Sequence, residues 1–322
     1  MIDESEPLIR HLGPVLAGAL KDDDVTEVYV NPQDHQVRIE TRSGGRTEFP
    51  CRMESDQVEM FLNAAAARAG VLLRPESPFL ETTLPDEFFR RARLQGFVPP
   101  VVREAAFTIR KPPAIVYGLD DYVRQARLSP AHRTHLRAAV WSHESVLVCG
   151  PTNCGKTTLA NALIHEMSMV WPKERIVILE DTAELQCVAA DHLALRTPAG
   201  GTLAQLVKAT LRASPDRIVV GEVRDEAALD LLDAWATGHP GGVATIHARS
   251  PEGALMRLDR LAERARVPSQ AALIAEAIDW VVVMGVERGV KTLARVRGWN
   301  GSRFNVEILS DAEEHQCELA LA

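Results

Sequence analysis

The 322-residue chain is poor in cysteine, lysine and aromatic side chains, and it has no excess of positive charge. Its five cysteines, Cys51, Cys149, Cys154, Cys187 and Cys317, form no C-x-x-C pair. Neither a zinc ribbon nor a disulfide framework is therefore expected, and the odd number fits free thiols in a reducing compartment. The longest apolar run, Trp280 to Val286, falls far short of the roughly 20 residues that a membrane span requires. The opening MIDESEPLIR is acidic where an export signal would be basic, so a cytoplasmic protein is expected. Basic residues number 36 against 44 acidic, a net charge of −8, and aromatics make up 5%. Without a basic face or a basic–aromatic stretch, direct DNA binding is not expected. Only six of the basic residues are lysines, which draws attention to any lysine inside a motif. What remains is ordinary for a globular protein: 46% hydrophobic and 25% charged residues, with a length that favours two domains.

The first hundred residues read as a small α+β unit. An amphipathic stretch, Pro7 to Leu20, precedes strand-like Thr26–Val30, a turn at Asn31-Pro32, and alternating Gln36–Thr41. Ser55 caps a helix that runs to about Ala69 and stops at Gly70. Strand-like runs follow at Arg91–Val98 and Val102–Arg110. Lys111-Pro112-Pro113 continues neither a helix nor a central strand. Division into a first domain over 1–110, a linker over 111–125 and a second domain over 126–322 is expected. In the second, short apolar runs at Ser145–Cys149, Arg175–Leu179, Arg217–Val220 and Gly242–Ile246 alternate with helical patterns at Lys156–Val170, Thr202–Ala213 and Glu226–Thr237. Apolar strands separated by helices predict an α/β domain around a parallel sheet. Three further strands are expected near Trp280–Met284, Thr292–Arg297 and Arg303–Leu309.

The chemistry lies in the second domain. Gly150-Pro151-Thr152-Asn153-Cys154-Gly155-Lys156-Thr157, followed by Thr158, fits G-x-x-x-x-G-K-[ST] and sits between an apolar strand and a helix. Glycines let consecutive amides converge on phosphate oxygens, and the helix N-terminus adds a favourable dipole. Lys156 then serves the β- and γ-phosphates, and Thr157 serves Mg²⁺. No base-reading N-K-x-D segment points to a small GTPase. Glu180-Asp181-Thr182-Ala183-Glu184 breaks a strand end into three carboxylates, where ligands of parallel sheets bind, with Glu180 first among them. Gly221-Glu222 ends the next apolar strand, and a carboxylate there can serve both metal and attacking water. Glu222 carries that role alone, since a glycine fills the preceding position. His239 and His247 bracket a Gly-rich turn and a strand, and both are expected at the phosphate. Asp22-Asp23-Asp24 reads as a solvated helix end, and the His132/His135 pair lacks a further ligand for a metal. Cys154, within the loop, is expected to confer sensitivity to thiol reagents.

On these residues the chain resembles the secretion-superfamily ATPases. The resemblance runs through TEVYVNP, RLQGFVPP and FTIRKPP, then GPTNCGKTT, ILEDTAEL, SPDRIVVGEVR and TGHPGGVATIHA. The compact first domain and short tail look most like the conjugative-transfer branch of type IV secretion. Type II relatives usually carry a tetracysteine module, which is missing here. The resemblance implies a RecA-like ATPase domain that binds ATP and Mg²⁺, a homo-hexamer, and inner-membrane channel or coupling-protein partners with peripheral attachment to that membrane. It also implies that Arg93 and Arg110 of the first domain contact the phosphates, and it adds Glu180, Glu222 and His247 to the catalytic set. A pilus or type II assembly motor, or a slow nucleotide-gated scaffold, are the alternatives.

Overall fold

The first unit begins with α1 (Glu6–Lys21), β1 (Val25–Val30), β2 (Gln36–Thr41) and β3 (Gly45–Arg52). It continues with α2 (Ser55–Arg68), β4 (Phe79–Thr83), α3 (Asp86–Phe89), β5 (Arg93–Phe97) and β6 (Ala106–Arg110). The computed structural model describes residues 6–112, 116–198 and 201–309. All the strands pair antiparallel, in the order β3-β2-β1-β6-β5-β4. One sheet face is apolar, with Val28, Leu94, Phe107 and Ile109 buried against Leu8, Leu12 and Leu16 of α1 and Phe61 and Leu62 of α2. The α2 helix comes so close that a Cβ on Gly96 would stand 2.5 Å from Leu62 Cδ2, so a larger residue at this strand position would have to displace the Leu62 side chain. Two departures from the sequence reading have local causes. Gly13, at φ 77° before Pro14, breaks α1, and β3 carries Pro50 at the sheet edge, which hides its alternation.

The opposite face of this sheet is polar. Arg93 stands directly across from Arg110, Arg110 from Glu27, and Glu27 from Glu40, so a row of charges crosses four strands. Burial and the neighbouring Glu40 raise the Glu27 carboxyl, while Arg110 opposes the shift.

The chain divides into the units Met1–Ala114 and Ile115–Ala322. The second contains α4 (Leu119–Arg124), α5 (Pro130–Trp141), β7 (Val146–Cys149), α6 (Lys156–Val170), β8 (Ile176–Glu180), β9 (His192–Arg196), α7 (Leu203–Thr210) and β10 (Arg217–Val220). After these come α8 (Ala227–Thr237), β11 (Val243–Ile246), α9 (Pro251–Ala262), α10 (Ala271–Ala277), β12 (Trp280–Met284), β13 (Val290–Trp299) and β14 (Phe304–Ile308). The segment expected as linker over 111–125 thus holds a helix. Leu119 and Tyr122 of α4 are buried with α5 and α6, which ties it to the second unit, and Pro113 lies outside the described residues.

The sheet order is β14-β13-β12-β7-β11-β10-β8-β9. Strands from β12 to β9 run parallel, and β13 and β14 form an antiparallel hairpin at one edge. Alternate residues of the central strands fill two cores. Leu147, Val177, Ile218 and Ala244 face α7 to α10, whereas Val146, Val148, Ile176 and Val219 face α4 to α6. Such parallel strands present their C-terminal ends as one edge, and ligands bind there. Among the described residues no helix is long and apolar enough to cross a membrane.

Candidate nucleotide site

The loop from Gly150 to Gly155 joins β7 to α6, and two of its glycines are required by geometry. Gly155 lies at φ 91°, in the left-handed region that favours glycine. A Cβ on Gly150 would stand 2.5 Å from Cys154 Sγ and 3.0 Å from Met284 O. That proximity also corrects the expectation for Cys154. Its thiol packs beneath the loop at 1% exposure, and the Thr152 and Asn153 side chains face solvent instead, so thiol reagents are not expected to reach it. Burial pushes the neighbouring Cys149 thiol up to about 12.

Lys156 opens α6 and is itself buried. Its ammonium donates to Gly150 O at 3.2 Å and Pro151 O at 2.8 Å, and it lies 3.3 Å from His247 Nδ1. Burial lowers its pKa, with the charges of Cys154, Glu222, Cys149 and Glu184 opposing. An ammonium can only donate, so Nδ1 of His247 must accept, and the ring proton sits on Nε2. That nitrogen is 3.1 Å from Glu222 Oε1. The other Glu222 oxygen accepts from Arg224 Nη2 at 2.7 Å, and Arg224 also lies 3.7 Å from Asp181. The structure thereby joins the loop lysine to the ends of β11, β10 and β8 in one chain of contacts. Burial raises the Glu222 carboxyl, but Arg224, His247 and Lys156 together outweigh this and hold it below the usual range.

The carboxylates after β8 divide the work differently from the sequence reading. Glu180 Oε1 accepts the backbone N–H of Glu184 at 2.8 Å and of Leu185 at 2.7 Å, which makes Glu180 the prop of the turn. The propped residue, Glu184, accepts from the Thr157 hydroxyl at 3.4 Å. Sequence reasoning placed Glu184 in this acidic segment without selecting it. Which carboxylate faces the loop depends on where the strand breaks. Gly221 fits the same logic, since a Cβ there would press on Glu180 Cγ at 3.2 Å.

His239 is not near this cluster, which corrects the expectation that both histidines face phosphate. It precedes β11, whose four residues span about 13 Å, and its Nδ1 lies 2.8 Å from Pro215 O at the opposite end of the strands. Arg93 and Arg110 belong to the first unit, where Arg93 pairs with Glu81 at 2.5 Å and Arg110 is exposed. His132 contacts Leu309 O and His135 stacks near Trp280, and no metal-type cluster occurs among the described residues.

The donor set suits a nucleotide and magnesium. The buried lysine is held on carbonyls of its own loop, where phosphate oxygens would replace them. The Thr157 hydroxyl with the Glu184 and Glu222 carboxylates offers the hard oxygen donors that magnesium prefers.

Residues 2–288 match the Type II/IV secretion system protein family. The chain is 41% identical over 308 residues to the "Probable conjugal transfer protein TrbB" of Sinorhizobium fredii, covering 95% of this chain and 93% of that protein. It is 30% identical over 319 residues to VirB11 of Agrobacterium fabrum, covering 87% and 90%. Its fold is similar to that of the pilus retraction motor PilT crystallised with ADP: TM-score 0.60, 18% identity, 91% of this chain and 80% of the other. The second unit accordingly has the RecA-like P-loop architecture.

Proposed function

Because the chain belongs to the Type II/IV secretion system protein family, we propose that it is an ATP-hydrolysing motor of a conjugation-type secretion machine, working as a homo-hexamer beside inner-membrane channel or coupling subunits. The observation that carries this reading is the Lys156–His247–Glu222–Arg224 chain, which links the phosphate loop to the strand-end acid. Conjugation is favoured over pilus movement by the 41% identity to a conjugal transfer protein.

The residues act as follows. Amides of the 150–157 loop cradle the β-phosphate, and Lys156 moves from its carbonyl partners onto phosphate oxygens. Thr157 and Glu222 hold magnesium, which when bound neutralises charge on the β- and γ-phosphates. Glu222 and Glu184 orient the attacking water, and Glu180 fixes Glu184. His247, deprived of the Lys156 proton contact, transmits phosphate occupancy to Glu222. From the resemblance, Arg93 and Arg110 are proposed to supply guanidinium groups to the transferred phosphoryl; within the first unit they stand directly opposite each other on the polar sheet face.

Purified protein is expected to hydrolyse ATP with magnesium, and Lys156→Ala to lose turnover and fail to restore plasmid transfer in a strain lacking the gene. Parental turnover in folded Lys156→Ala would overturn the assignment of hydrolysis to the phosphate loop. Transfer restored by Lys156→Ala would overturn the motor reading, and failure of the parental gene to restore it would overturn the conjugal one.

A further inference from the structure

The acids and the histidine of the candidate nucleotide site lie on one flank of the phosphate loop. Glu184, Glu222 and His247 follow β8, β10 and β11, which all lie on one side of β7 in the sheet order. On the other side is β12, and its turn into β13, residues 285–289, bends back onto the phosphate loop. A Cβ on Gly155 would stand 3.7 Å from Arg288 Cβ and 3.9 Å from Arg288 Cγ, so the Arg288 stem lies on the loop's last glycine.

The turn is anchored. Gly285 N–H donates to Gly289 O at 2.8 Å, and Val290 N–H donates to Arg127 O at 2.7 Å, which ties the hairpin to the segment before α5. Arg288 has φ 61°, an uncommon conformation for a residue with a side chain. It is exposed, and among the described residues its guanidinium has no hydrogen bond or ion pair. Glu287 is folded back over Gly285. Val286 is 75% exposed, the highest value among the large apolar side chains of the described residues.

Direction follows from the sheet. Lys156, His247 and Glu222 set the terminal phosphates toward the β11 flank, so the rest of a nucleotide extends toward the β12 flank. There it meets a planar cation and an exposed apolar side chain on a pinned turn. We propose that the 285–289 turn is the nucleoside-binding wall of the site, with the Arg288 guanidinium stacked on the purine face and Val286 against its edge. A planar guanidinium stacks on aromatic faces, whereas an ammonium is a point charge without that plane. The assignment rests on the nucleotide reading above.

The test is binding of Mg-ATP, Mg-ADP and magnesium tripolyphosphate to the full-length protein, Arg288→Ala and Arg288→Lys. Arg288→Ala should weaken ATP and ADP about tenfold and leave tripolyphosphate unchanged, as expected for a contact to the base alone. Arg288→Lys should stay as weak as alanine, because it keeps the charge and loses the plane. Unchanged ATP and ADP affinity in folded Arg288→Ala would overturn the proposal. An equal loss for tripolyphosphate, or rescue by lysine, would also overturn it in favour of a phosphate contact. A parent protein that binds none of the three would instead remove the nucleotide reading itself.

Discussion

Two clusters of histidine, glutamate and arginine occupy opposite ends of β10, and only one is closed. At the N-terminal end, Arg217 is fully buried; its Nε donates to Glu174 at 2.6 Å, Nη1 to Gly241 O at 3.0 Å and Nη2 to Val140 O at 2.9 Å. His143 bonds the other Glu174 oxygen at 2.5 Å. At the C-terminal end, Glu222, His247 and Arg224 use the same three residue types, but the arginine side chain is 54% exposed and a buried lysine completes the row. The first cluster gives every guanidinium nitrogen a fixed acceptor, which suits a structural clamp. In the second, the lysine is held by carbonyls of its own loop and the partners can be exchanged for a ligand. Similar residues therefore serve stability at one edge and chemistry at the other, and the difference lies in what surrounds them.

The comparison breaks if the two ends respond alike. The largest effect is expected at the closed end: Arg217→Ala strands the Glu174 carboxylate and should cost about 3–5 kcal/mol of stability, read by denaturant unfolding. Turnover per folded molecule should stay near parental. A loss under about 1 kcal/mol would show that the clamp does not hold the fold. At the open end the pattern reverses. Glu222→Gln should retain ATP yet lose about 10²–10³-fold in turnover with a near-parental melting temperature, while His239→Ala, back at the closed end, keeps parental turnover. Equal rates for Glu222→Gln and the parent would move the principal acid to Glu184.

Arg110 extends the contrast to the first unit. If it serves phosphate, Arg110→Ala should lower turnover by one to two decades, equivalent to about 1.5–3 kcal/mol for a charged contact. Unaltered turnover at saturating ATP would return it to the charge row with Glu27. The smallest effect concerns pH. The Glu222 carboxyl is held below the usual carboxylate range, so its contribution to stability is complete above the unfolded value and disappears as pH falls through the lowered folded one. Melting temperatures measured from neutral to acid pH should thus fall more steeply for the parent than for Glu222→Gln. Parallel curves would mean that Arg224 and His247 do not stabilise the charged form.

The amino-acid sequence alone determined which segments are strands buried on both faces, where the phosphate loop begins, and which strand ends carry acids or histidine. Each of these depends on residues close together in the chain: β10 is a run of apolar residues, and the loop is a pattern of glycines before a lysine. Which of these groups meet was decided by the tertiary structure. His239 and His247 look equivalent in sequence, but β11 runs between them, and a parallel sheet gathers only its C-terminal strand ends at Lys156. Glu180 and Glu184 look equally suited to a metal, yet the turn after β8 uses the first carboxylate to satisfy backbone amides and so aims the second at Thr157. Arg288 belongs to no local motif. It reaches the loop only because β12 lies beside β7, and strand order, unlike strand propensity, is fixed by packing across the whole sheet.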